Sequence, residues 1–171
     1  ILIFFLQESL NWTTKASSGT LVVVGIIAII VQGGLIGPLV KQFGEMRLTL
    51  IGSGFILVAC ALLITAPKEN ATINIYSAVS FLAVGAGLIT PTLRALISKK
   101  LDIDKQGSIL SNLQGLQSLG GVLGIAMAGR VYDSFGPKSP FIAGSVILLF
   151  MIYLIAEGKN NNSFKNQKLK V

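Results

Sequence analysis

The sequence predicts an all-α, polytopic membrane protein. Three observations carry this: five stretches free of Asp, Glu, Lys and Arg, a chain 52% hydrophobic but only 12% charged, and basic residues gathered in alternate connections. A soluble domain carries roughly a quarter charged residues, and a helix needs about 20 residues to cross a bilayer. The five stretches cover residues 16–40, 48–67, 70–93, 106–129 and 139–156, and each is about long enough to span once. Helix is expected to continue to about residues 98 and 130 in the third and fourth.

Residues 1–10 open the chain with an apolar run too short to span, read as the end of a span that starts upstream. No basic leader or cleavage site of a signal peptide precedes it. Glu8, Asn11, Trp12 and Lys15 then form a polar connection, with Trp12 suited to the headgroup boundary. Cys60 is the single cysteine and lies inside an apolar run, so the chain can build no internal disulfide or thiolate cluster. Residues 159–171, rich in Asn and Lys, lack the apolar side chains to fold alone and are expected to be a disordered cytoplasmic tail.

Orientation follows from lysine and arginine, whose excess marks the cytoplasmic side. Ten of the fourteen fall in one set of connections, around Lys41, around Arg94 to Lys105 and in the tail. Lys15, Lys68, Arg130 and Lys138 make up the other set. The C-terminus is therefore expected in the cytoplasm, in a plasma or inner membrane. The net charge of +7 is spread between apolar runs rather than over one surface, so nucleic acid is not an expected partner.

The organising stretch runs from Gln32 to Arg47, where an apolar segment ends in glycines, passes a short basic turn and gives way to a second apolar segment. Gly33, Gly34 and Gly37 are expected to admit a neighbouring backbone, while Lys41 and Arg47 hold the turn at the cytoplasmic face. Residues 48–67 and 139–156 read as almost featureless apolar helices, but 106–129 carries Gln106, Ser108, Ser111, Asn112, Gln114, Gln117 and Ser118. At about 100° per residue, Ile109, Leu113, Leu116, Leu123 and Met127 share one narrow arc and the polar residues fill the rest. Amides at membrane depth mark either interhelical hydrogen bonds or a solvated cavity, and both readings stand for Asn112 and Gln114. Gly120, Gly121 and Gly124 read as packing positions. In residues 70–93, Pro91 removes a backbone hydrogen bond, which fits a kink in a packed helix or a cavity lining.

The segment Gly37-Pro38-Leu39-Val40-Lys41-Gln42-Phe43-Gly44-Glu45-Met46-Arg47 resembles the loop signature of the major facilitator superfamily, in the degenerate copy between its eighth and ninth helices. The acidic position of the first copy is Lys41 here, so that acid's charge-relay role does not carry over. Gly85-Ala86-Gly87-Leu88-Ile89-Thr90-Pro91 with Ala95-Leu96-Ile97-Ser98 is similar to the tenth helix of the drug-efflux branch, tetracycline exporters included. Gln106-Gly107, Gly120-Gly121-Val122-Leu123-Gly124 and Gly129-Arg130-Val131-Tyr132 are similar to its eleventh. The resemblance implies the C-terminal six-helix bundle of a twelve-helix transporter with its first helix truncated, and a missing N-terminal half of the same polypeptide as partner. It also implies outermost ninth and twelfth helices, a cavity bordered by the seventh, eighth, tenth and eleventh, and transport by alternating access.

The expected function is secondary transport, specifically proton-coupled efflux of a drug-like molecule or small metabolite, with the bilayer and a small-molecule substrate as partners and no cofactor. The full spans hold no Asp, Glu or His, which places a proton carrier elsewhere. No nucleotide-binding glycine–lysine loop is present, and the absence of histidine removes the usual constellations of an intramembrane enzyme. A non-transporting membrane subunit and a sugar or metabolite uptake transporter are the alternatives. Gln32, Thr90, Asn112, Gln114 and Gln117 are the candidate cavity residues. Gly37, Lys41, Gly44, Arg47, Arg94 and Arg130 are candidates for the loop motif and gating. The plainer reading of Arg94 and Arg130 is charge that sets topology at helix ends.

Overall fold

The computed structural model describes residues 2–67, 71–99, 101 and 103–168. Its elements are α1 (Leu2–Leu10), α2 (Thr14–Ile30), a π-helical turn (Val31–Leu35), α3 (Ile36–Phe43), α4 (Glu45–Ile64), α5 (Ala71–Ser98), α6 (Ile103–Phe135) and α7 (Ser139–Lys168). Each of the five charge-free stretches coincides with helix, and no strand occurs among the described residues. Three helical segments are long and apolar enough to cross a membrane: Thr14–Phe43, Glu45–Ile64 and Ala71–Ser98. The apolar part of α7, Ser139–Ile155, is shorter, and α6 is diluted by its amides and serines.

Local chemistry explains the boundaries. Asn11 closes α1 at a φ of 53°, a left-handed conformation asparagine tolerates better than most residues. Thr13 then caps α2, its hydroxyl accepting the Ala16 N–H at 3.3 Å. The π-turn sits where Gln32, Gly33 and Gly34 precede Pro38, which has no N–H to give the Gly34 carbonyl. The Ile36 N–H reaches back to the Val31 carbonyl, five residues earlier, and the helix continues. Gly44, at φ +74°, then breaks the chain between α3 and α4 in a conformation open to glycine. Gly136, at φ +90°, does the same between α6 and α7.

Two apolar clusters hold the bundle. Phe5, Leu6, Leu63, Ile75 and Val79 form the first, at the end shared by α1, the α4–α5 connection and the α6–α7 turn, where Phe5 meets Phe141 edge to face at 5.2 Å. Val31, Leu48 and Leu88 form the second, one from the π-turn and one each from α4 and α5. Cys60 is buried in α4, as its apolar setting predicts.

The tightest contact is between α4 and α5, which pass at Gly52 and Gly85. A Cβ on Gly85 would lie 2.6 Å from the Gly52 carbonyl oxygen, and one on Gly52 would lie 3.0 Å from that of Gly85. One turn away, the hydroxyls of Thr49 and Thr92 meet at 3.0 Å, both fully buried. Close backbone approach at small residues with hydroxyl bonds across the seam is how helices associate in lipid. The sequence reading of 48–67 as featureless misses this stripe of Thr49, Gly52 and Ser53. In a double-mutant cycle, Thr49→Val and Thr92→Val are expected to show a coupling of about 0.6 to 1.7 kcal/mol in unfolding measurements; strict additivity would show that the pair contributes nothing.

Three expectations differ from the structure. Gly33, Gly34 and Gly37 have no described atom within 4 Å of the position a Cβ would take, and the same holds for Gly120, Gly121 and Gly124. The close approaches are instead at Gly52 and Gly85, where α4 meets α5, at Gly87, where α5 meets the π-turn, and at Gly19, whose Cβ would lie 3.2 Å from the Tyr76 hydroxyl. Within this chain α4 buries seven residues, while α6 buries none of its described side chains. At the tail, α7 runs to Lys168 rather than ending near Ala156. Extending a formed helix needs no new nucleus, so residues of modest propensity can continue it.

Candidate functional site

The candidate site is a cleft between α5 and α6 with a volume of about 310 Å³, formed where α6 leans on α5 through few side chains. Thr90, Arg94 and Ile97 line it from α5 and Leu113, Leu116 and Gln117 from α6. The spacing 90, 94 and 97 repeats at four and three residues, so one helix face supplies all three; 113, 116 and 117 do the same on α6. Arg94 Nη2 donates to the amide oxygen of Gln114 and, at 3.3 Å, to that of Gln117. A second hollow of about 310 Å³ also has Arg94 in its wall, together with Ala95, Ser98, Leu110 and Gln114. A guanidinium held by two neutral amides beside aliphatic walls can bind an amphipathic molecule through charge, hydrogen bonds and apolar contact together.

Four of the predicted residues thus come together: Thr90, Gln114 and Gln117 from the cavity candidates, and Arg94 from the gating candidates. Asn112 does not join them. It is exposed on α6 and is not among the residues that line either hollow beside Arg94. Gln32 sits exposed on the π-turn, and its Cγ lies 3.9 Å from where a Gly87 Cβ would be, apart from the α5–α6 cleft. Lys41 is exposed in the last turn of α3, and Arg130 is exposed on α6 beyond the cleft. Gly37 is exposed in α3. Gly44 and Arg47 border another hollow, of about 410 Å³, with Phe43, Glu45 and Leu96.

Two polar contacts are absent from the sequence reading. Lys99, in the last residue before the α5–α6 connection, pairs with Glu45 at the start of α4; its ammonium side is 66% exposed, so the pair ties two helix ends with little energy. At the other end of the bundle, the Tyr132 hydroxyl donates to the Glu8 carboxylate, joining α6 to α1. Glu45 has a readable signal, an acid in the first turn after a helix-breaking glycine. Glu8 and Tyr132 lie 124 residues apart and leave none.

Comparison with known proteins decides the family. The family profile described as the Major Facilitator Superfamily matches residues 1–125. The chain belongs to the Major Facilitator Superfamily. Of the motifs that suggested this, those at residues 37–47, 85–98, 106–107 and 120–124 lie within the matched segment, and the one at 129–132 lies beyond it. Relatives include the class C tetracycline resistance protein of Escherichia coli, 26% identical over 76% of this chain and 32% of its own length. The class G tetracycline resistance protein of Vibrio anguillarum is 28% identical over 87% of this chain and 38% of its own length. Hippocampus abundant transcript 1 protein of Mus musculus is 24% identical over 77% of this chain and 26% of its own length. The chain therefore spans about a third of the length of such curated relatives. No solved structure matches it. Major facilitator proteins are integral membrane transporters rather than enzymes, in keeping with the apolar helices.

Proposed function

We propose that this chain is the C-terminal part of a major facilitator transporter that exports a small amphipathic molecule by alternating access, driven by protons. The observation that carries the reading is the α5–α6 cleft, where Thr90, Arg94, Gln114 and Gln117 project polar groups into an otherwise aliphatic space. Such groups at membrane depth need either a partner or water, and a substrate path supplies both in turn. Similarity to tetracycline resistance proteins supports efflux as the direction and a polycyclic drug as one substrate.

The proposed frame is a partial span over residues 1–10, five spans, and a cytoplasmic C-terminus in the plasma membrane. The ten basic residues on one side against four on the other support that orientation. The remaining half of the transporter pairs with this one around the cleft. The proton carrier lies outside the full spans described here, since they hold no carboxylate or histidine.

The test is uptake of radiolabelled tetracycline into inverted membrane vesicles containing the intact protein. Energised vesicles are expected to concentrate the drug and to release it when a protonophore collapses the gradient. Failure to concentrate tetracycline or any member of a panel of amphipathic drugs overturns the reading; accumulation insensitive to the protonophore removes proton coupling alone.

A further inference from the structure

Arg94 is the only charged residue among the described residues lining the α5–α6 cleft, and its setting defines the ligand group it can take. A helical side chain leans toward the N-terminus of its helix. Arg94 stands one turn before the end of α5 at Ser98, so its side chain rises away from that end. Its head reaches across to Gln114 and Gln117, which lie about 16 and 21 Å along α6 from Ile103, and all three side chains stay open to an entering ligand.

The hydrogen bonding leaves capacity in reserve. Both amide oxygens take their bonds from Nη2, so Nη1 and Nε have no hydrogen-bond partner among the described residues. Neutral amides orient a guanidinium without cancelling its charge, and no described carboxylate pairs with Arg94. The open Nη1 and Nε can each donate a charge-assisted hydrogen bond to an oxyanion. Around it, Ile89, Leu93, Leu113 and Leu116 offer a surface for hydrocarbon or an aromatic ring.

We infer that this cleft binds the anionic group of an amphipathic organic anion or zwitterion, with the oxyanion on Arg94 and the apolar body against α5 and α6. The inference rests on the transport reading of the cleft and names its substrate class. The same chemistry is carried by a soluble aromatic acid and by the headgroup of an anionic phospholipid.

The test uses the intact protein in phosphatidylcholine nanodiscs with two probes of one shape, 2-naphthoate and the neutral 2-naphthamide, in equilibrium dialysis. The wild type is expected to bind the acid about tenfold more tightly, as a charge-assisted hydrogen bond should. Arg94→Gln is expected to reduce that preference below about twofold, and Arg94→Lys to keep part of it, since a lysine retains the charge without the guanidinium's spread of donors. Thermal unfolding of both variants checks that they fold. Equal binding of the two probes by wild type, binding of neither, or an undiminished preference in Arg94→Gln overturns the assignment. Loss of naphthoate binding when phosphatidylglycerol is added supports the anion site with lipid as occupant; retention supports it with a soluble anion. Vesicles that concentrate no drug while the naphthoate preference holds would remove the transport reading and leave the anion site standing. Drug accumulation without the preference would do the reverse.

Discussion

Gly85→Val is expected to unfold the intact protein at a markedly lower temperature than wild type, with the loss appearing in both detergent melting and membrane yield. The new Cβ would sit 2.6 Å from the Gly52 carbonyl oxygen and from Ile56 Cγ1, a backbone atom and a packed side chain that have little room to move. Overpacking of a close-packed interface costs about 1 to 3 kcal/mol, and valine at this crossing belongs at the upper end. The separation would also break the neighbouring contact of Thr49 with Thr92, which requires the helices to pass at their present distance. Gly54→Val is the control, because nothing lies within 4 Å of the position its Cβ would take. Equal melting temperatures for Gly85→Val and wild type would show that α4 and α5 do not cross at these glycines.

Replacing both Gln114 and Gln117 with leucine is expected to lower the transport rate of the intact protein about tenfold, since a hydrogen bond to a charged group contributes about 1.5 kcal/mol or more. The two changes remove the acceptors that hold Nη2 of Arg94 and leave its charge against an apolar wall. Either single change is expected to do less, because the remaining amide still holds the guanidinium. Asn112→Leu, at an exposed position outside the lining of the cleft, is expected to leave the rate within about twofold, as a surface change should. Rates are compared in vesicles matched for protein content, so insertion and transport are separated. If Asn112→Leu lowers the rate as far as the double variant, the amides that hold Arg94 have no special part in transport.

The two predictions rest on residues of different legibility. Gln114 and Gln117 stand out in the sequence because an amide in an apolar run has no place in lipid. That signal finds the helix but not the face, and it ranks Asn112 equally with Gln114. Arg94 read as a topology charge, since position near a helix end is all the sequence shows of it. Only its hydrogen bonds to Gln114 and Gln117 reveal that the head turns toward α6. The glycines mislead for a similar reason. Gly33, Gly34 and Gly37 cluster at a motif and draw attention, yet they have no close neighbour among the described residues, whereas Gly52 and Gly85, whose sequence surroundings give no sign that they face each other, carry the closest helix contact.

The sequence by itself determined that this chain is a series of membrane helices of the major facilitator type. Composition, charge-free run lengths and the spacing of lysine and arginine act along one dimension, and lipid enforces helix on every apolar run that must satisfy its own backbone. Tertiary structure alone decided which helices meet: α4 against α5 at Gly52 and Gly85, Val31 of the π-turn against Gly87, and α6 resting on α5 through Arg94. The physical reason is that lipid tails are as apolar as leucine, so a hydrophobic face gives the same pattern whether it meets lipid or another helix. Burial in a membrane is chosen by small residues and hydrogen bonds at specific distances, and those distances exist only once the helices are packed.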